Sequence, residues 1–181
     1  MLEIKNNLLV GAKFIESPNC SERPNQDISL LVIHNISLPP NEFDNDFVEK
    51  FFQNKLNPNE HPYFKEIENL KVSSHLYIKR DGSIIQFVPF HLKAWHAGVS
   101  CFDGQDDCNN FSVGVELEGA DDIAYTDEQY ESLKEVTKAL LNQYPLMEKQ
   151  RIVGHSDIAP SRKTDPGPFF DMGYYFSLLK L

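Results

Sequence analysis

Three side chains of this 181-residue chain could together bind a metal ion. His34 ends an apolar run, His155 follows a short Ile-Val-Gly segment, and Asp165 lies in a segment rich in Pro and Gly. Zinc accepts imidazole nitrogen and carboxylate oxygen, and a catalytic zinc site combines three protein ligands with an open position for water. These residue types predict a hydrolytic zinc site if the fold brings them together.

Spacing alone does not select this set of ligands. The chain contains six histidines, so His61, His75, His91 and His96 are alternatives. The diagnostic short-range spacings of zinc motifs are absent. A metal-free interpretation also stands, in which the two histidines are ordinary core or surface residues and the aspartate caps a turn.

Hydrophobic periodicity predicts the strands that would position these side chains. Residues 28–34 form a β-branched apolar run, typical of a strand buried on both faces. Residues 72–88 alternate around an Asp-Gly turn and predict a hairpin. Residues 111–118 alternate again, and 152–155 form a further short strand. The intervening residues 89–110, rich in Gly, Asp and Asn, predict a long surface loop.

Helices are predicted between and after these strands. Residues 46–56 show helical apolar spacing. A Thr126-x-x-Gln129 capping box begins a longer helix that Pro145 ends, and 169–181 form an aromatic-rich helix. The alternation of strands and helices predicts an α/β fold with a single mixed central β-sheet flanked by helices.

Composition limits the classes of function. The length and a hydrophobic content of 41% fit one domain, residues 1–181. The net charge of −10 and the lack of a basic cluster argue against nucleic-acid partners and against stable membrane association. The N-terminal residues lack the apolar core of a secretory signal, and Cys20, Cys101 and Cys108 are expected to be free thiols. We therefore expect a reducing, cytoplasmic compartment.

Five segments carry a resemblance to a known family: Val-Ile-His-Asn-Ile-Ser at 32–37, Val-Ser-Ser-His at 72–75, Trp-His-Ala-Gly at 95–98, Phe-Ser-Val-Gly-Val-Glu-Leu-Glu-Gly at 111–119, and Gly-His-Ser-Asp-Ile-Ala-Pro-Ser-Arg-Lys-Thr-Asp-Pro-Gly-Pro at 154–168. In this order they resemble the AmpD family of cytoplasmic 1,6-anhydro-N-acetylmuramyl-L-alanine amidases, which share the peptidoglycan-recognition and type 2 amidase fold. The resemblance implies zinc-dependent hydrolysis of the amide between (1,6-anhydro-)N-acetylmuramic acid and L-alanine during cell-wall recycling, with an anhydro-muropeptide as substrate.

The resemblance also implies a role for each matching residue. His34, His155 and Asp165 would bind zinc, Glu116 would be the general base, and Lys163 would stabilise developing negative charge. The chemistry agrees, because amide hydrolysis needs an activated water, an acceptor for its proton and a cation beside the oxyanion. Glu118 lies on the same strand face as Glu116 and is the alternative base.

Substrate contacts are expected from several residues near these motifs. Trp95 and His96 could line the sugar site, although a tryptophan here could instead anchor a loop to the core. Lys71 could pair with a carboxylate of the peptide. The other candidates for the pocket are Asn35, Tyr63, His75 and Arg162.

One departure from the family pattern concerns peptide binding. Family members often carry arginines just before Cys108, where this chain has Gln105 and Asp107. An arginine that grips a stem-peptide carboxylate would be absent, which affects peptide affinity and not the type of reaction. Two alternative functions remain at this stage, a non-catalytic peptidoglycan-binding module and a secreted or lipid-anchored amidase of the same fold.

Overall fold

A computed structural model describes residues 2–180 of the chain. Its strands are β1 (Ile4–Lys5), β2 (Leu8–Leu9), β3 (Lys13–Phe14), β4 (Cys20–Glu22), β5 (Leu30–Ile36), β6 (Leu76–Ile78), β7 (Ile84–Gln86), β8 (Leu92–Ala94), β9 (Cys101–Phe102), β10 (Gln105–Asp106), β11 (Ser112–Glu118) and β12 (Ile152–Gly154). Its α-helices are α1 (Phe47–Phe52), α2 (Pro62–Ile67), α3 (Asp127–Gln143), α4 (His155–Ile158) and α5 (Met172–Leu179), and short 3-10 helices span Cys108–Asn110 and Lys149–Arg151.

Within residues 2–180, six strands form the central sheet, in the order β12-β5-β11-β6-β7-β3. Strand β5 runs parallel to both β11 and β12, and β11 runs parallel to β6. The β6–β7 pair is antiparallel, as the Asp-Gly turn predicts, although both strands are shorter than the predicted hairpin. The prediction of a mixed central sheet flanked by helices is confirmed.

The two faces of β11 have different surroundings. Val113, Val115 and Leu117 belong to a buried cluster that includes Leu133 and Val136 of α3. The alternate positions of the strand face the other side of the sheet, and they are Ser112, Gly114, Glu116 and Glu118. Strand β11 thus has one face in the main hydrophobic core and one face with buried polar side chains.

The helix boundaries follow local signals. The capping box of α3 is confirmed, since Thr126 Oγ1 accepts a hydrogen bond from the Gln129 backbone N–H and Gln129 Oε1 accepts one from the Thr126 N–H, both at 3.1 Å. Helix α1 is shorter than predicted, because Asn54 has a φ of 58° that a helix cannot continue through. Helix α5 begins after its N-cap Asp171, and Leu181 lies outside the described residues.

The prediction of a long surface loop at 89–110 is wrong. Within it β8 pairs with β4, β9 pairs with β10, and Phe90, Ala94, Ala97 and Cys108 are fully buried. Of the Gly, Asp and Asn residues that suggested a loop, Asp103 and Gly104 form the turn between β9 and β10, and Asn109 and Asn110 lie in a 3-10 helix. No helix within residues 2–180 has the length and apolar character needed to cross a bilayer.

Candidate metal centre

The three predicted metal ligands meet at one edge of the central sheet. His34 lies near the carboxyl end of β5, and His155, which was predicted to end a strand, is instead the first residue of α4 directly after β12. Because β5 and β12 are parallel neighbours, their carboxyl ends share an edge, where ligands commonly bind in α/β sheets. Asp165 reaches the same point from the segment that follows α4, where its carbonyl accepts a hydrogen bond from the Ser156 N–H.

The ligand atoms form a small triangle. His34 Nδ1 lies 2.9 Å from His155 Nδ1, and Asp165 Oδ2 lies 3.0 Å from each of these nitrogens. A tetrahedral zinc ion with bonds of about 2.0–2.1 Å separates its ligand atoms by roughly 3.3 Å, which is close to these distances. The two imidazoles and the carboxylate can therefore bind one metal ion.

Burial favours the protonation states that a metal needs. Burial lowers the pKa of His34 to about 4, despite a partly opposing effect of Asp165. For Asp165, burial disfavours the carboxylate, but hydrogen bonds with His155 and His34 outweigh that effect and hold its pKa well below the usual range. Neutral imidazole and ionised carboxylate are the forms that bind metal ions.

Each histidine ligand has a contact at its second ring nitrogen. His155 Nε2 donates to the Ala97 carbonyl at 3.1 Å, which leaves the lone pair of Nδ1 directed at the site. His34 Nε2 lies 2.9 Å from His96 Nδ1, and His96 Nε2 lies 3.0 Å from Ser112 Oγ. Contacts of this kind fix the ring orientation of metal-binding histidines.

The two glutamates of β11 differ in their contacts. Glu116 lies beside His34 in the β5–β11 register, is 9% exposed, and has an Oε2 atom without a hydrogen-bond partner among the described residues. Burial, with a smaller contribution from Asp165, raises the pKa of Glu116 well above its ordinary value. Glu118 is 2% exposed and accepts hydrogen bonds at 2.9 Å from the Asp44 and Arg80 backbone N–H groups. Of these two glutamates, only Glu116 has a carboxylate oxygen left without a hydrogen bond within the described part of the chain.

A cavity of about 540 Å³ opens above the three ligands. Its volume lies within the usual range for small-molecule sites. Lys163 and Glu116 line it beside the ligands, and part of its wall is apolar, formed by Leu38, Phe51, Phe52, Ile67, Leu70 and Val72. The positive charge of Lys163 acts on Glu116 and opposes the effect of burial on the pKa of that carboxyl.

Five of the seven candidate substrate contacts line this cavity. These are Asn35, Tyr63, Trp95, His96 and Arg162. The Trp95 side chain is 37% exposed and donates from Nε1 to Ser21 Oγ at 3.1 Å, so it is not buried in the core.

The other two candidates, Lys71 and His75, lie outside the cavity lining of the described chain. Lys71 is exposed, next in sequence to lining residues on both sides. His75 is fully buried, and its Nδ1 accepts a hydrogen bond from the Gly114 N–H at 3.0 Å, so its contacts are structural. Gln105 and Asp107 are exposed at the surface.

Sequence reasoning missed the roles of Ser112, Gly114 and Asp121. Asp121 Oδ1 accepts a hydrogen bond from Asn35 Nδ2 at 2.8 Å and so orients a cavity residue. The alternation of β11 places Ser112 and Gly114 on the face that carries Glu116, a signal that was present in the sequence. Their contact with His96 could not be found there, because it joins segments from different parts of the chain.

The chain is similar to known proteins over most of its length. Residues 24–168 match the N-acetylmuramoyl-L-alanine amidase family (Amidase_2). The 1,6-anhydro-N-acetylmuramyl-L-alanine amidase AmpD of Haemophilus influenzae is 52% identical over 98% of this chain and 97% of its own length. A crystal structure of a selenomethionine derivative of AmpD superposes with a TM-score of 0.94, at 48% identity, and covers 97% of this chain and 98% of that one.

A more distant structure includes a bound ligand. AmpDh3 of Pseudomonas aeruginosa in complex with anhydromuramic pentapeptide is 27% identical, with a TM-score of 0.63 over 86% of this chain and 61% of that one. The family match covers most of the chain, and the AmpD relative of Haemophilus influenzae is similar over nearly its whole length. The chain therefore belongs to the N-acetylmuramoyl-L-alanine amidase family, among the AmpD enzymes.

Proposed function

We propose that residues 1–181 form a single zinc amidase domain that hydrolyses the amide between (1,6-anhydro-)N-acetylmuramic acid and L-alanine in peptidoglycan fragments. The observation that carries this proposal is the triangle of His34, His155 and Asp165, which lines an open cavity together with Glu116, whose Oε2 has no hydrogen-bond partner among the described residues. An unpaired, buried carboxylate oxygen is costly unless a ligand or water uses it. The donor set fits zinc, with two imidazole nitrogens and one carboxylate oxygen.

The roles of the chain's own groups follow from their positions. Zinc held by the three ligands would supply Lewis acidity and lower the pKa of water to ~7. Glu116 takes a proton from the attacking water and later delivers it to the departing nitrogen of L-alanine. The bond from water oxygen to the lactoyl carbonyl carbon forms, the carbon–nitrogen bond breaks, and the products are a carboxylate and a free amine. Lys163 lies on the cavity wall and stabilises the negative charge that develops on the carbonyl oxygen.

The lining of the cavity supports a substrate with a sugar and a peptide. Trp95 offers an exposed aromatic face for a sugar ring, and Asn35, Tyr63 and Arg162 supply polar groups. The similarity to enzymes named for 1,6-anhydro-N-acetylmuramyl-L-alanine, and to a structure that binds an anhydromuramic pentapeptide, supports an anhydro-muropeptide. We place the reaction in the cytoplasm, during the recycling of cell-wall fragments.

Mass spectrometry of the products from a defined anhydro-muropeptide tests this function. We expect anhydro-N-acetylmuramic acid and a peptide with a free L-alanine amine, one zinc per chain, and activity that a chelator removes and added zinc restores. Cleavage at another bond, or full activity without metal, would contradict the proposal. Faster release of peptide from intact cell wall than from soluble fragments would favour a wall-degrading amidase instead.

A further inference from the structure

We propose that His96 is a positioning residue that fixes the tautomer and ring orientation of His34, with Ser112 at the far end of the same hydrogen-bond chain. This inference rests on the proposed zinc binding and adds a structural requirement to it. His34 Nδ1 faces the other two ligands, and the contact that orients its ring is made by Nε2, 2.9 Å from His96 Nδ1.

The hydrogen bonds have one consistent direction once His34 binds a metal. A lone pair on His34 Nδ1 requires the ring proton of the neutral imidazole to be on Nε2. That N–H donates to His96 Nδ1, which must then be bare, so the proton of His96 is on its Nε2. His96 Nε2 in turn donates to Ser112 Oγ at 3.0 Å. Both ring nitrogens of His96 are taken up by these two hydrogen bonds. His96 therefore supports the proposed zinc ligand His34 and does not itself bind the metal.

Gly114 provides the space for this arrangement. A Cβ atom at Gly114 would lie 2.5 Å from both Cγ and Nδ1 of His96, closer than any real contact of that kind. The imidazole therefore packs directly on the backbone of β11. Ser112, Gly114 and Glu116 occupy successive positions on one face of that strand. The same strand therefore supports His34 through His96 and places the proposed base, Glu116, beside His34.

The backbone at His96 and Ala97 serves both histidine ligands. The side chain of His96 meets His34, and the Ala97 carbonyl accepts from His155 Nε2 at 3.1 Å. Asn109 Oδ1 holds this dipeptide in place, because it accepts hydrogen bonds from the His96 N–H at 3.1 Å and the Ala97 N–H at 2.8 Å. A short segment held by these hydrogen bonds thus sets the orientation of two proposed ligands, one in β5 and one at the start of α4.

Nitrogen NMR of the zinc-loaded wild-type protein, labelled with ¹⁵N-histidine, tests the tautomers directly. We expect His34 to carry its proton on Nε2 and to bind zinc through Nδ1, and His96 to be neutral with its proton on Nε2. A His96 proton on Nδ1, a cationic His96, or a zinc bond from His96 would each overturn the inference. This measurement needs no variant, so it decides even if substitutions at 96 disturb folding.

Two substitutions test the functional consequence. H96F keeps an aromatic ring against Gly114 but removes the acceptor for His34, and we expect zinc affinity, measured by chelator competition, to fall by about 10–100-fold. H96N places an amide oxygen near the former Nδ1 position, and we expect it to recover most of that affinity. H91F replaces a histidine outside the cavity lining and serves as the matched control.

The outcomes separate this inference from the proposed function. If wild-type protein binds no zinc, the proposed function fails and this inference with it. If wild-type and H96F bind zinc equally tightly, the zinc amidase stands and the role of His96 is refuted. If H96N binds zinc as weakly as H96F, and circular dichroism shows that both are folded, then the size of the side chain at 96 matters and its hydrogen-bond acceptor does not. That result also refutes the role of His96.

Discussion

Glu116 and Glu118 are two residues apart on the same face of β11, yet their carboxylates have different tasks. Glu118 accepts hydrogen bonds from two backbone N–H groups of other segments and holds them against the sheet. Glu116 has a carboxylate oxygen without a partner among residues 2–180 and lines the cavity beside the three proposed metal ligands. Sequence alternation treats the two alike, and the contacts made by the loops at 44 and 80 distinguish them.

We predict that E116Q loses ~10²–10⁴ in kcat and keeps its zinc, the usual loss when a general base is removed. E118Q should keep kcat within a few-fold and instead lower the free energy of unfolding by about 1–3 kcal/mol, because it weakens buried hydrogen bonds to a carboxylate. Steady-state kinetics, zinc analysis and urea denaturation measure these effects. A larger loss of kcat in E118Q than in E116Q would reverse the two roles.

We predict that K163M lowers kcat and kcat/KM together by about 10²–10³, with zinc content unchanged. The reason is that charge on the carbonyl oxygen develops only on the way to the transition state, so removing its partner leaves ground-state binding intact. The alternative is that Lys163 holds a carboxylate of the substrate. Kinetics on a defined anhydro-muropeptide would then show a raised KM and an unchanged kcat.

At the scale of elements, the parts predicted from sequence are those with local signals. The apolar run of β5, the alternation of β11, the Asp-Gly hairpin and the capping box of α3 each encode one element by composition or spacing. The parts that failed depend on distant partners. Strand β8 forms because β4, more than seventy residues earlier, lies beside it, and a three-residue strand has no periodicity of its own.

In the candidate site, too, the residue types have local sequence signals, whereas their convergence depends on distant parts of the chain. The ligand types and the five motifs point to His34, His155 and Asp165, but chain spacing did not select them from six histidines. Their convergence depends on the parallel β5–β12 pairing, which is a tertiary feature. His75 has a residue type and motif similar to those of a site residue, but its Nδ1 accepts a hydrogen bond from the Gly114 N–H and its side chain does not line the cavity.

We predict that G114A lowers zinc affinity as well as stability, although the substitution adds only a methyl group and touches no ligand. The new Cβ would overlap the His96 ring, so either that ring or β11 must move, and His34 loses its support. Chelator competition and thermal unfolding measure the two effects. G173A is the matched control, because its Cβ meets no atom closer than 3.3 Å and alanine is favourable within α5. Unchanged zinc affinity in a folded G114A protein would contradict the prediction.

For the molecule as a whole, burying the ionisable groups of the proposed metal site lowers the free energy of unfolding, and the hydrophobic core offsets that loss. Burial disfavours the charged form of both His34 and Glu116. The surrounding core clusters, which pack helices on the sheet, supply the stability that holds these groups together. In the proposed function a bound cation would offset these charges, so removing a charge should stabilise the metal-free protein.

Because burial disfavours the charged form of Glu116, the stability of the metal-free protein should depend on pH. In metal-free protein, E116Q should be more stable than the wild type at pH 7, and the difference should shrink as the pH falls towards ~4.3, the ordinary value for Glu. The native state binds the Glu116 proton more tightly than the unfolded chain does, because its pKa is raised. The wild type therefore loses stability as the pH rises from ~4.3 to the folded pKa, by ~1.4 kcal/mol per pH unit.

Urea denaturation of chelator-treated wild type and E116Q between pH 4.5 and 8 measures this difference. Other groups that titrate in this range, including His34, are present in both proteins and cancel in the comparison to the extent that they do not interact with Glu116. E118Q provides the contrast, because its lost hydrogen bonds should make it less stable than the wild type at neutral pH. A constant difference between E116Q and wild type across the pH range would mean that the native fold does not raise the pKa of Glu116.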